Sequence, residues 1–175
     1  MFSDPQKNID QFGIGTGSYV ADFGAGSGFY TFAAARATGS SGRVYAVDVQ
    51  KDLLTKIKNQ AQLVGVSNVD IVWADIETLG GTKLRDNSID AVIAANIFFQ
   101  LESREGACKE IRRILKNGGR VMIVDWASSF GGMGPETSSV FNATQARELF
   151  IKNGFELVKD ITAGAQHYGL IFRKK

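Results

Sequence analysis

Two glycine-rich stretches with the same spacing, G-x-G-x-G, lie at residues 13–17 and 24–28. Glycine has no Cβ, so such a stretch lets the backbone turn sharply or approach a ligand closely. The first stretch precedes an apolar segment, "YVADF", and is expected to form the turn between an N-terminal helix and a strand. The second follows that segment directly and leads into "FYTFAAARA", a helical pattern. A glycine loop between a strand and a helix presents backbone amides to a ligand, so the second stretch is predicted to bind a cofactor.

The spacing of this second stretch argues against a dinucleotide. The dinucleotide fingerprint is G-x-G-x-x-G, with its third glycine at the place where the helix packs closely on the sheet. Phe29 occupies that position here. A nucleotide-linked oxidoreductase therefore remains only an alternative, supported by the glycine loop and by Asp48 at the end of the next strand pattern.

Segments of strand length alternate with helical patterns along the chain. Five segments are apolar at both odd and even positions, as in strands covered on both faces, and indicate a parallel sheet: residues 19–23, 44–49, 69–73, 90–96 and 120–126. Between them, apolar residues recur at three-four spacing, which predicts crossover helices and a doubly wound α/β fold. The tail carries a helix over 144–152 and two further strands, "FELVKDI" and "HYGLIFRKK", joined by a short link. We expect these two to form an antiparallel hairpin at one edge, giving a mostly parallel seven-stranded sheet with helices on both faces.

Composition limits the classes of protein to consider. A chain of 175 residues suits one domain spanning 1–175, with residues 1–17 as a short N-terminal cap and turn. The 20 basic and 18 acidic residues are scattered, so no charge field indicates nucleic acid or a membrane surface. The single cysteine, Cys108, fits a reducing compartment, and the start of the chain has no signal-peptide pattern. We expect a cytoplasmic protein with no membrane span and no metal site; the sequence does not indicate the oligomeric state.

The motifs around the second glycine stretch resemble those of one enzyme family. "VADFGAGSG" is similar to the first motif of class I S-adenosylmethionine-dependent methyltransferases, in which an acidic residue precedes G-x-G-x-G. "VYAVDV", "WADIE" and "EIRRILKNGGRVMIVDW" resemble the later motifs of that family in order and spacing, and "GFELVKD" with "HYGLIFRKK" resembles its closing strand pair. The most similar subgroup is the small type 11-like methyltransferases related to ubiquinone and menaquinone biosynthesis. The resemblance implies a Rossmann-like fold and S-adenosylmethionine as cofactor.

The resemblance also implies where the adenosine half of the cofactor binds. Asp48 ends the second strand, where its carboxylate can accept hydrogen bonds from both ribose hydroxyls. Asp75 resembles the family residue that accepts from the adenine amino group, with Ile76 supplying a backbone amide and Val49 lying against the ring. Two simpler interpretations stay open: Asp48 as a solvated residue at a strand end, and Asp75 as the cap of a turn.

The other half of the cofactor carries an ammonium group and the methyl donor. The resemblance places Asp22 near that ammonium, and Asn96, at the end of the fourth strand, faces the donor end. The glycine loop is expected to approach the cofactor through its backbone, at Gly24, Ala25, Gly26 and Gly28.

The residues that would act on the acceptor are harder to identify. Methyl transfer depends mainly on positioning and needs a base only where the acceptor must lose a proton. Asp125, at the end of the fifth strand, and His167, the only histidine, are the candidate catalytic residues. Either side chain can equally be structural. Asn96 is followed by "IFF" rather than by the prolines of amino-directed nucleic-acid methyltransferases, so nucleic acid is not expected as substrate.

The sequence thus predicts a methyltransferase that uses S-adenosylmethionine and releases S-adenosylhomocysteine, acting on an unidentified small-molecule acceptor. A non-catalytic protein that binds the same cofactor and acts with a partner is the main alternative.

Overall fold

A single mixed sheet organises the chain, which is described here from a computed structural model covering residues 3–132 and 134–175. Its strands are β1 (Tyr19–Phe23), β2 (Arg43–Asp48), β3 (Val69–Trp73), β4 (Ile89–Ala95), β5 (Leu115–Trp126), β6 (Phe155–Ile161) and β7 (His167–Lys174). They lie in the order β3-β2-β1-β4-β5-β7-β6. β1 to β5 pair in parallel, whereas β7 is antiparallel to both β5 and β6. The predicted doubly wound α/β fold with a C-terminal antiparallel hairpin is confirmed.

Helices cover both faces of this sheet. They are α1 (Pro5–Phe12), α2 (Phe29–Thr38), α3 (Lys51–Leu63), α4 (Arg104–Ile114) and α5 (Ala143–Lys152). Successive residues of β1 point to opposite faces of the sheet. On one face Val20 packs in a cluster with α1 and α2, and on the other Phe23 packs in a cluster with α4 and α5. Within the described part of the chain, no helix is long and apolar enough to cross a membrane.

The first glycine stretch forms a turn, as predicted. Asp4 caps the start of α1 by accepting from the backbone N–H groups of Gln6 and Lys7. Gly13 ends the helix with a φ of 69°, a left-handed conformation that glycine adopts without steric cost. The domain span of 1–175 and the cap over 1–17 stay predictions, and Met1 and Phe2 of that cap lie outside the described residues.

A buried carboxylate fixes the connection between β3 and β4. Glu110 of α4 accepts hydrogen bonds from the backbone N–H groups of Gly80 (2.7 Å) and Thr82 (3.2 Å). Arg113 donates to the same carboxylate from Nε (2.8 Å) and from its second terminal nitrogen (2.7 Å). Burial alone would raise the pKa of Glu110, but the bonds from Arg113, Thr82 and Gly80 lower it to about 2. Glu110 therefore acts as a charged anchor for the loop that follows Asp75.

Removing this anchor should destabilise the fold. Glu110→Ala leaves two loop N–H groups without their acceptor, while the Arg113 guanidinium stays bonded to Asp86 and to the Leu84 carbonyl. Breaking a buried ion pair costs about 3–5 kcal/mol, and the remaining acceptors of Arg113 favour the lower end of that range. Urea unfolding of the variant checks the size of the loss. Glu105→Ala, on the same helix, removes an exposed pairing with Lys109 and should leave the free energy of unfolding nearly unchanged. Equal effects from both substitutions would contradict the role assigned to Glu110.

Candidate cofactor site

The second glycine stretch connects the end of β1 to the start of α2. Gly24, Gly26 and Gly28 have φ values of 70°, 53° and 83°, in the left-handed region that favours glycine. A Cβ built on Gly24 would lie 2.6 Å from Cδ1 of Ile97, closer than nonbonded atoms approach. The positive φ therefore favours glycine at position 24, and any other residue there would also have to displace the Ile97 side chain.

Asp48 fastens this loop to the end of β2. Its Oδ2 accepts a hydrogen bond from the Gly26 backbone N–H (3.0 Å), and its Oδ1 accepts from the Gln50 N–H (2.9 Å). The backbone N–H groups of Gly24 and Ala25 donate to the carbonyl of Val47 in the same strand, at 2.9 and 3.1 Å. Each carboxylate oxygen of Asp48 has further acceptor capacity. Asp48 can thus hold the loop and still accept from a ligand hydroxyl.

Two adjoining hollows lie where the carboxyl ends of β1, β2 and β4 meet. One has a volume of about 200 Å³ and the other of about 320 Å³, and Gly24, Asp48, Ile97 and Gln100 line both. Val49, Asp75 and Ile76 line the smaller hollow. The larger one is lined by the remaining residues predicted for the cofactor except Gly28, namely Asp22, Ala25, Gly26 and Asn96. The structure therefore gathers the predicted cofactor residues around one crevice.

The smaller hollow combines an apolar wall with a polar rim. The Val49 side chain is 59% exposed there, although it is apolar, and Ile76 is buried. Asp75 caps a turn: its Oδ1 accepts from the Glu77 backbone N–H (2.8 Å) and its Oδ2 from Thr78 Oγ1 (2.8 Å). This is the simpler interpretation left open for Asp75. These two hydrogen bonds do not use all the acceptor capacity of the Asp75 carboxylate, so a contact with a ligand amine stays a prediction.

Asp22 and Asn96 place buried polar groups beside the larger hollow. The buried Asp22 carboxylate accepts a hydrogen bond from Thr31 Oγ1 (2.6 Å). Burial raises the pKa of Asp22 to about 7, the bond from Thr31 opposes the rise, and the nearby charge of Asp48 adds to it. Asn96 has a φ of 55°, and its buried Oδ1 has no hydrogen-bond partner among the described residues. An unpaired buried acceptor is costly, so Asn96 fits a site that a polar ligand completes.

The two residues predicted to be catalytic lie outside both hollows. Asp125 is buried and accepts from the backbone N–H groups of Phe99 (3.2 Å) and Trp126 (2.8 Å); burial raises its pKa to about 7. Through Phe99 it holds the short helical turn that carries Gln100 into the crevice. The His167 ring lies against Trp126, with centroids 4.4 Å apart, and burial lowers its pKa. Both ring nitrogens are buried without a partner in the described parts of the chain, 3–132 and 134–175.

Several residues of the crevice lie outside the predicted set of cofactor residues, although two of them, Ser3 and Pro5, belong to the predicted cap over 1–17. Ser3 and Pro5 reach the larger hollow from the start of α1, and Tyr30 and Phe29 reach it from the start of α2. The helical position of Phe29 was visible in the sequence, and its 72% exposure marks it as a surface residue at the mouth of the crevice. Gln100 follows the "NIFF" segment and has no periodic signal of its own.

Comparison with known proteins identifies the family. A family described as "Methyltransferase domain" matches residues 21–123, which include most of β1, the glycine loop, β2 to β4 and most of β5. The chain belongs to this methyltransferase family. The predicted membership in the class I S-adenosylmethionine-dependent methyltransferases of the type 11 kind is confirmed, as are the Rossmann-like fold and the cofactor S-adenosylmethionine.

Curated relatives match over part of their length. A ubiquinone/menaquinone biosynthesis C-methyltransferase from Hahella chejuensis is 31% identical over 120 residues, which are 68% of this chain and 47% of that protein. A protein of the same description from Klebsiella pneumoniae is 29% identical over the same shares. The chain spans about half the length of these curated relatives.

Solved structures match more completely. An S-adenosylmethionine-dependent methyltransferase from Aquifex aeolicus superposes with a TM-score of 0.89 at 25% identity, covering 98% of this chain and 90% of that one. The [4+2]-cyclase SpnF superposes with a TM-score of 0.83 at 18% identity, covering 97% and 80%. The second likeness shows the fold alone.

The raised pKa of Asp22 predicts how stability changes with pH. A carboxyl whose pKa is about 7 in the folded chain and 3.8 when exposed binds its proton more tightly in the folded state. Its contribution to the free energy of unfolding is therefore full below pH 4, falls as the pH rises towards 7 and is lost above 7. Asp22→Asn keeps an oxygen for Thr31 but cannot titrate, so its stability should fall less steeply over this range.

Urea unfolding at several pH values between 5 and 8 measures this difference. Asp125 also has a raised pKa and contributes the same trend to both proteins, so the comparison isolates Asp22. Parallel curves for the wild type and Asp22→Asn would contradict the assignment.

Proposed function

We propose that this chain transfers a methyl group from S-adenosylmethionine to a small-molecule acceptor. The observation that carries the proposal is the crevice at the ends of β1, β2 and β4. In this crevice Asp48 accepts a hydrogen bond from the glycine loop, and the buried Asn96 Oδ1 has no hydrogen-bond partner among the described residues. Membership in the methyltransferase family supports the same reaction.

The two hollows suit the two halves of the cofactor. In the smaller, Val49 and Ile76 provide apolar contact for adenine, and Asp75 has acceptor capacity for its amino group. Asp48, which lines both hollows, binds the ribose hydroxyls between them. The backbone of the loop from Gly24 to Gly28 lies along the larger hollow.

Charge and polarity favour the methionine half at the larger hollow. An ammonium group near Asp22 would favour its ionised form and offset the cost of burying that carboxylate. Asn96 Oδ1 can accept from the same half of the cofactor.

The chemistry itself requires little from the protein. S-adenosylmethionine supplies a methyl group bound to a positively charged sulfur. An acceptor atom attacks the methyl carbon in line and displaces that sulfur. The chain's residues hold the two reactants in contact. Burial lowers the pKa of His167, which favours its neutral form, and His167 is the proposed proton acceptor where the methyl acceptor must lose a proton. Asp125 is proposed to assist from the end of β5.

The acceptor that we propose is a small organic molecule rather than a nucleic acid. The larger hollow, at about 320 Å³, is shared between the methionine end of the cofactor and the acceptor, which limits the acceptor's size. The curated relatives are named for C-methylation in ubiquinone and menaquinone biosynthesis, so phenolic and quinol ring compounds come first in a screen.

The buried Cys108, whose thiol pKa burial raises to about 12, is compatible with the proposed cytoplasmic location.

A second candidate is a cofactor-binding protein that acts with a partner and does not itself catalyse transfer. The position of Asp125 and His167 favours it, because neither side chain lines the crevice. The two candidates share the cofactor site and differ only in turnover.

Substitution of Asp48 tests the cofactor site. Asp48→Ala removes the acceptor for both the ribose and the Gly26 N–H, and since hydrogen bonds to charged groups contribute about 1.5–3 kcal/mol each, S-adenosylhomocysteine should bind at least ~10-fold more weakly. Isothermal titration calorimetry measures the change, with NAD titrated in parallel and expected not to bind. Asp48→Asn keeps the shape of the side chain and should show an intermediate loss.

Asp70→Ala provides the matched control. Asp70 is an exposed aspartate of β3, lies at the amino end of that strand and pairs with Arg43. Its removal should leave S-adenosylhomocysteine binding unchanged. Tight binding of NAD, or equal affinity in Asp48→Ala and the wild type, would overturn the proposed site.

Turnover separates the two candidates. With S-adenosylmethionine and a panel of phenolic, quinol and amine acceptors, the wild type should form S-adenosylhomocysteine and a methylated product, both measured by mass spectrometry. His167→Gln should lower the rate most at acceptors that lose a proton. Cofactor binding without product across the panel, together with a stable protein partner, would favour the second candidate.

A further inference from the structure

A closed set of hydrogen bonds joins the start of α1 to the start of α2. Tyr30 Oη lies 2.7 Å from Ser3 Oγ, and Asn8 Nδ2 donates to both oxygens, at 2.7 Å to Tyr30 and 2.8 Å to Ser3. Asn8 and Tyr30 are buried. These three residues are called the Tyr30 cluster below. Ser3 is half-buried. A set of polar groups that satisfy one another, two of them buried, favours a single arrangement of the two helices.

The Tyr30 cluster lies beside the larger hollow. Ser3 and Tyr30 line it together with Asp22 and Asn96, and Pro5 adds the first turn of α1 to the same wall. Tyr30 comes two residues after Gly28, the end of the glycine loop. The cluster therefore joins α1 to the element that approaches the methionine half of the proposed cofactor.

The opposite end of α1 has its own attachments. Arg120 donates to the carbonyls of Phe12 (3.0 Å) and Gly13 (2.8 Å). Gln11 and the backbone of Thr162 exchange two hydrogen bonds, both 3.0 Å long. These contacts fix the C-terminal end of the helix independently of Tyr30, and Gln6 accepts from Arg36 on the exposed side of the first turn. A change in the cluster therefore acts mainly on the side of the first turn that borders the crevice.

We propose that Tyr30 is a positioning residue that, through Ser3 and Asn8, holds the start of α1 as a wall over the methionine half of the cofactor. This inference rests on the proposed function. It assigns the task to a side chain with no charge and no role in the reaction, and it explains why a tyrosine hydroxyl is buried between two helices at this place.

Tyr30→Phe removes one oxygen and keeps the ring in the core. The Asn8 amide then loses one of its two partners, and the start of α1 loses its link to α2 on the side of the crevice. S-adenosylhomocysteine should bind about 5- to 10-fold more weakly, the effect of one buried hydrogen bond. The effect should be confined to the methionine half.

Comparing the affinities for two probes shows whether the effect of Tyr30→Phe is confined to the methionine half. 5′-Methylthioadenosine contains adenosine and sulfur but lacks the amino acid part, so its binding depends on the smaller hollow and should change less than about twofold in Tyr30→Phe. Calorimetry with both probes gives the ratio of their affinities. A general loss of structure would weaken the binding of both probes by a similar factor. A change in the ratio of the two affinities is therefore specific to positioning.

Gln6→Ala is the matched control on the same pair of helices. Gln6 Oε1 accepts two hydrogen bonds from Arg36, at 3.1 and 2.8 Å, on the exposed side away from the crevice. Its removal should leave both affinities unchanged. Ser3→Ala should reproduce part of the loss of S-adenosylhomocysteine affinity seen in Tyr30→Phe. The loss of binding free energy in the double variant should not exceed the sum of the two single losses, because both substitutions remove the same contact.

The outcomes distinguish this inference from the function on which it rests. Weaker binding of S-adenosylhomocysteine alone in Tyr30→Phe supports it. Unchanged binding of both probes, or an equal loss for both, overturns it while the cofactor site stands. If the wild type binds neither probe, the proposed function and this inference both fail.

Discussion

The arrangement of strands around β1 is the constraint on which the site depends. β1 has β2 on one side and β4 on the other, and the chain leaves towards β2 first and returns to the opposite side for β4. The connections after β1 and β4 therefore diverge, and a crevice opens above the carboxyl end of β1. The glycine loop, Asp48 and Asn96 are neighbours only because of this topology. Their sequence separation says nothing about their proximity until the order of strands is known.

Packing within the crevice couples elements that carry different tasks. The turn at Gly24 favours a residue without a Cβ, because the Ile97 side chain from the segment after β4 occupies that space. Asp48 then fixes Gly26 from the opposite side. The loop is thus held between β2 and β4 before any ligand is bound. A binding site fixed in this way loses little conformational entropy when the ligand enters.

The buried carboxylates show how the fold balances stability against binding. Burial raises the pKa of Asp22 to about 7 even though Thr31 donates to it, so at neutral pH the group lies near the midpoint of its titration. A cationic ligand would shift the group to its ionised form and recover part of the cost of burial. Asp125 has a similar pKa, but its partners are backbone N–H groups of the turn that it holds. Two aspartates at strand ends therefore carry the same sequence signal, although one borders the crevice and the other supports it.

This difference marks the limit of what the sequence could predict. The apolar strands, the hairpin and the glycine loop follow from local patterns, and strand-end residues such as Asp48 follow once the strands are placed. The turn capped by Asp75 is also local, since its partners are two and three residues away. The contacts of His167 and the contribution of Ser3 to the crevice depend on how β7 packs beside β5 and how α1 packs on α2. No periodicity within either segment reports such contacts.

The residues that would select the acceptor belong to this second class. The Rossmann-like fold is shared with a [4+2]-cyclase, so the sheet and its loops do not by themselves determine the reaction. In this chain the start of α1 and Phe29 belong to the part of the larger hollow that lies outside the strand ends and the glycine loop. The loop after β5 does not line either hollow through its described residues; there Gly134 packs on the Trp126 ring, where a Cβ would lie 2.7 Å from the ring. Acceptor choice is therefore expected to follow the packing of these peripheral segments, while cofactor binding follows the strand ends that local sequence already indicates.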